Sequence, residues 1–241
     1  MDTLTRDVQA VAPVSTEVAA ARSRPDDRST NAHRQLIGWI GLVLPLVLIA
    51  LAIWRDTLEG WRNLESISAY YYSGGTAAFL GMLAALALFL FTYRGYNNEY
   101  SKWDQRLSNW AGVAALVVAF FPTKSPNGVA PLSWWADWVG VVHHVAAIAL
   151  FSCFALFALW LFNLTKTKTW RNTLYTVCGV GIVVSMLAAG YCALIDHPIF
   201  WPESAALVAF ALSWLVKGYA FRTLKSRGVR GLAKDARSLA W

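Results

Sequence analysis

Six apolar blocks constrain what this chain can fold into. They run Gln35–Trp54, Ser73–Tyr93, Leu107–Thr123, Trp138–Thr165, Asn172–Ile195 and about Pro202–Phe221. The first five carry no Asp, Glu, Lys or Arg, and the sixth holds Glu203 at its start and Lys217 near its end. A helix rises about 1.5 Å per residue, so roughly 17–25 apolar residues cross the hydrocarbon of a bilayer. The third block is short, and the fourth is long enough to tilt or to project beyond the bilayer. Backbone groups in lipid must pair within their own segment, which leaves the helix as the open-chain solution. The expected fold is therefore all-α: an integral membrane bundle of six transmembrane helices over residues 35–222. Residues 1–34 are rich in Ala, Ser, Thr, Asp and Arg without apolar periodicity. They read as a disordered tail, and 223–241 read as a basic tail.

Composition agrees with the blocks. Hydrophobic residues make up 57% of the chain and charged residues only 15%, against about a quarter charged in soluble domains. The chain has 13 Trp, most of them at block edges, where an amphipathic ring suits the membrane–water interface. Cys153, Cys178 and Cys192 lie inside apolar blocks without metal-type spacing and read as small packing residues. The formal charge of +7 comes from basic residues that flank the blocks, so it points to topology and not to nucleic acid. The first block ends in Leu-Ala-Ile-Trp-Arg without a small-residue cleavage site and is expected to be a retained span.

Charge also orients the bundle. The N-terminal tail, the second and fourth connections and the C-terminal end together hold eighteen Lys and Arg. The first, third and fifth connections hold three: Arg55, Arg62 and Lys124. This asymmetry places both termini in the cytoplasm of a bacterial cytoplasmic membrane. The basic C-terminal stretch is topogenic, or lies as a short interfacial helix on the anionic leaflet. Lys217 is expected to snorkel to the headgroups. Small residues at Ala77 and Gly81, Ala111 and Ala115, and Ala188-Ala189-Gly190 mark expected close approaches between helices.

The same orientation gathers the unusual polar residues on the outer face. Ser66, Ser68 and Tyr70 close the first connection, His143 and His144 lie in the first two turns of the fourth helix, and Asp196, His197 and Glu203 surround the fifth connection. Neighbours on a helix point about 100° apart, so only one of the two histidines faces the bundle directly. Two readings stand for this set. In one, the groups form a non-catalytic polar pocket for a lipid or a protein partner, or cap helix ends. In the other, His143, His144, Asp196 and His197 hold Zn²⁺ and activate water, as in a metal-dependent membrane lipid hydrolase. Tyr70, Tyr71 and Tyr72 belong to the outer aromatic belt or line a headgroup pocket. Glu203 follows Pro202 at a helix start, where a carboxylate is favoured by the dipole.

The segments SISAYYYSGG, FLFTYRGY, AFFPT and VHHVAAIALF resemble an uncharacterised bacterial family of six-span membrane proteins grouped as a domain of unknown function. More distantly the layout is similar to DRAM-type six-span proteins, with Ser68, His144 and Glu203 in places comparable to that group's first-loop Ser, fourth-helix His and sixth-helix Glu. A looser similarity is to membrane hydrolases of the alkaline ceramidase type, which use Ser, Asp and three His around zinc. The nearer resemblance implies a membrane location and a six-helix fold, and no established reaction.

Overall fold

A computed structural model of the protein describes residues 24–55, 65–95, 100–164 and 168–218. These form six α-helices: α1 (Arg24–Arg55), α2 (Thr76–Thr92), α3 (Ser101–Phe120), α4 (Asp137–Leu159), α5 (Trp170–Leu194) and α6 (200–218). Short 3-10 turns at Ser68–Tyr72 and Leu161–Asn163 lead into α2 and out of α4. There is no strand among the described residues. Three stretches, Asn31–Leu51, Asp137–Asn163 and Trp170–Leu194, are long and apolar enough to cross a membrane. The apolar α2 is shorter, at 17 residues.

Two boundaries differ from the sequence expectation. The tail expected to lack structure through residue 34 is helical from Arg24 onward. Pro25, Asp26 and Asp27 fall in its first turn, where a fixed φ and acidic side chains favour a helix start. The remainder of that tail, 1–23, and the C-terminal stretch from 219 lie outside the described residues. Helix α3 begins at Ser101, ahead of the apolar block, because its polar first turns still place Asp104 and Ser108 on the buried face.

Consecutive helices pack side by side from α1 to α5. Helix α6 lies against α1, where Gly38 and Gly41 face Leu215 and Phe210, and against α4, where Phe154 stacks on Phe210 with ring centroids 3.7 Å apart. A Cβ added at Gly38 would sit 2.8 Å from Leu215 Cγ and 3.0 Å from the Leu215 backbone nitrogen. Gly112 likewise admits the Phe91 ring, and Ala111 and Ala115 beside it are fully buried. Of the other expected close approaches, Gly81 and Gly190 have no neighbour within 4 Å of an added Cβ, while Ala189 is buried. Gly38→Ala is therefore expected to lower stability by about 1–3 kcal/mol through overpacking, while Gly81→Ala leaves it unchanged or higher. Unfolding of the two variants in mixed micelles checks the contrast.

Candidate functional site

The first, third and fifth connections meet at one end of the bundle. The Glu65 carbonyl accepts hydrogen bonds from the Ile199 and Phe200 amides at 2.6 and 3.1 Å. The Tyr72 hydroxyl donates to the Thr123 carbonyl at 2.8 Å, and the Trp135 indole donates to the Pro122 carbonyl at 3.1 Å. Burial, with Tyr71 beside it, pushes the Tyr72 phenol above its ordinary pKa.

Ser68 is held in place by this framework. The Ser66 hydroxyl accepts from the Ala69 amide at 3.0 Å, and the Ala69 and Tyr70 amides bond back to the Ser66 and Ile67 carbonyls. That closes the 3-10 turn whose first residue is Ser68. From the other side, Glu203 near the start of α6 accepts the Ile67 amide on Oε2 at 2.7 Å. This bond fixes the residue next to Ser68 against α6.

His143 completes the arrangement. It is buried on α4, with Nδ1 2.6 Å from the Phe121 carbonyl and Nε2 2.9 Å from Ser68 Oγ. A carbonyl can only accept, so Nδ1 carries the proton in that bond. In the neutral ring Nε2 is then the acceptor, and the Ser68 hydroxyl donates to it. The end of α3 thus sets the tautomer of a histidine on α4, which in turn orients a serine on the turn before α2.

Ser68 and Glu203 also line a partly open cavity of about 40 Å³. Its other walls are apolar, among them Leu44, Phe79, Leu83, Leu150 and Phe154. A water needs roughly 10–15 Å³ by this measure, so the space takes a few waters or the end of one apolar chain. Gly41 contributes to the wall. Pro45, one turn further along α1, has no N–H, and this leaves the Gly41 carbonyl without its usual helical donor.

The remaining sequence candidates fall elsewhere. His144 is exposed, with Nδ1 2.6 Å from the Gly140 carbonyl. Asp196 and His197 are exposed in the turn after α5, Asp196 at a φ of 53° and the His197 amide donating to the Cys192 carbonyl at 2.9 Å. Among the described residues no three His, Cys, Asp or Glu side chains are placed to hold a metal ion, and both ring nitrogens of His143 are already engaged. Tyr70 is not in an aromatic belt: it is 1% exposed and packs near Phe200.

A second polar cluster, at the opposite end, was not foreseen. Arg34 is 1% exposed, directs Nε and Nη2 to the Tyr93 hydroxyl at 3.3 and 3.2 Å, and donates from Nη1 to Asn31 at 3.0 Å. Lys217 does not snorkel. It is buried, donates to the Phe162 carbonyl at 3.1 Å and lies over the Phe162 and Tyr175 rings. The available signal was the spacing of Asn31 and Arg34, three apart and so on one helical face, just ahead of the first apolar block.

No protein-family model, no curated protein and no solved structure matches the chain.

Proposed function

We propose that the protein is a six-span protein of a bacterial cytoplasmic membrane, with both termini in the cytoplasm, that receives a lipid-type ligand in the Ser68/Glu203 cavity. One observation carries this reading. The cavity wall is apolar except at one end, where two polar side chains are held by bonds to their surroundings. Such a lining suits an acyl chain that ends in a small polar group, since binding sites are largely apolar with a few placed polar groups. The charge asymmetry of the connections assigns that end to the outer leaflet. The small volume implies that a ligand displaces lining side chains as it enters.

Delipidated protein in detergent tests the ligand. Decanoic acid or decanol is expected to raise the melting temperature by several degrees, because a ligand that binds only the folded state stabilises it by mass action. Ala147→Phe, which fills the cavity from α4, should abolish the shift. No shift with any medium-chain amphiphile overturns the reading. For orientation, a reporter active only in the periplasm and fused after Trp241 should be silent; activity there reverses the topology.

A further inference from the structure

We propose that Ser68 and His143 form a nucleophile and general base that cleave the carboxylic ester of an acyl chain seated in the cavity. The inference rests on the lipid-pocket reading and adds a reaction to it. Three features of the geometry support it together.

First, the pair is oriented for proton transfer. Serine is a weak nucleophile unless a base within about 2.6–3.2 Å takes its proton, and Ser68 Oγ lies 2.9 Å from His143 Nε2. Second, the base is itself oriented by a third group. The Phe121 carbonyl, 2.6 Å from Nδ1, does for the tautomer what a carboxylate does in a Ser–His–Asp triad. Third, Ser68 belongs to the cavity wall. A serine that only stapled α4 to the first connection would need no open space beside it. Here the residue that bonds the base also lines a chamber that suits an acyl chain.

The step balances without any further reagent than water. Ser68 Oγ attacks the ester carbonyl carbon as its proton passes to His143 Nε2. The C–O bond to the alcohol breaks, and His143 returns the proton to the leaving oxygen. The acyl group is now esterified to Ser68. Water then attacks that carbonyl carbon, gives a proton to His143 Nε2, and releases the free acid as the proton returns to Ser68 Oγ. Nothing is oxidised or reduced. Glu203 acts as a positioning residue, since its bond is to the Ile67 amide next to the nucleophile.

The test uses full-length protein in detergent micelles, with an alkyl fluorophosphonate and p-nitrophenyl decanoate as probes. The expected result is a phosphonate adduct mapped by mass spectrometry to the Ser68 peptide, together with release of p-nitrophenol. Ser68→Ala should remove both. His143→Gln should slow release by about 10²–10⁴-fold, the usual worth of a general base. Glu203→Gln, which keeps an acceptor for the Ile67 amide, should retain release within a few-fold while Glu203→Ala does not. The wild type decides alone if variants misfold. Wild-type protein that is stabilised by decanol yet gives neither adduct nor p-nitrophenol sinks the reaction and leaves the pocket standing. Adduct and turnover that persist in Ser68→Ala sink it equally. Protein that responds to neither decanol nor the probes removes both readings.

Discussion

Replacing Trp214 with Ala is expected to destabilise the bundle by about 3–5 kcal/mol, the usual cost of truncating a buried large aromatic residue. Trp214 is fully buried on α6 and joins rings from the end of α2, from α4 and the turn after it, and from α6 itself. Its centroid lies 5.2 Å from Tyr93 after α2, 5.0 Å from Phe157 on α4, 5.2 Å from Phe162 and 5.8 Å from Phe210. Each such contact contributes about 0.5–1.5 kcal/mol beyond area burial. In lipid the driving force for helix association is van der Waals packing, because acyl chains are as apolar as the side chains they replace. The loss in Trp214→Ala is thus mainly a loss of contacts. Trp214→Phe should cost far less. Its indole Nε1 has no hydrogen-bond partner among the described residues, so Phe strands no acceptor and keeps most of the ring. Reversible unfolding in mixed micelles, followed by tryptophan fluorescence or helicity, compares the two. Equal losses would mean that ring packing at this position does not hold the helices together.

Trp214 also shows how far the sequence could be read. Trp54, Trp110, Trp170 and Trp201, near block edges, are all strongly exposed. Trp214 instead stands inside the sixth block, and nothing in one-dimensional order tells whether such a ring faces lipid or the bundle. The helices themselves were legible because apolar length is a local property. The helical start at Arg24 was not, because its polar turns lack the apolar signal even though Pro25, Asp26 and Asp27 favour that start. The candidate site was legible in part. Ser68, His143 and Glu203 could be assigned to one end from charge alone. The third partner of the Ser–His pair could not, since a backbone carbonyl such as that of Phe121 leaves no mark in residue identity. Asp196 and His197 have suitable chemistry for a site, yet the turn after α5 leaves them exposed, and turn direction is not encoded in a two-residue pair. Arg34 and Lys217 count in the sequence as topogenic charge. Their burial depends on Tyr93 and on the Phe162 carbonyl, both distant in sequence.

That buried cluster supports the second large expectation. Arg34→Met should destabilise the protein by about 2–4 kcal/mol, because a stranded buried polar group costs about 1–3 kcal/mol and both the Tyr93 hydroxyl and Asn31 lose a donor. Tyr93→Phe removes the acceptor instead, and hydrogen bonds to a charged group contribute about 1.5–3 kcal/mol. The two residues touch through two guanidinium nitrogens and through the ring, with Arg34 Cζ 5.4 Å from the Tyr93 centroid. Their effects should therefore not add. The double variant is expected to be only slightly less stable than Arg34→Met alone, giving a coupling of about 0.5–3 kcal/mol, the range for residues in contact. Arg34→Lys should recover little, since an ammonium keeps the charge but not the planar fork that reaches Tyr93 and Asn31 together. The measurement is the same micelle unfolding run on all four proteins of the cycle. Additivity within about 0.3–0.5 kcal/mol, as found for independent sites, would show that Tyr93 does not hold Arg34. A clear coupling would make this pair the clamp that fastens α1 to the end of α2, opposite the Ser68–His143 site.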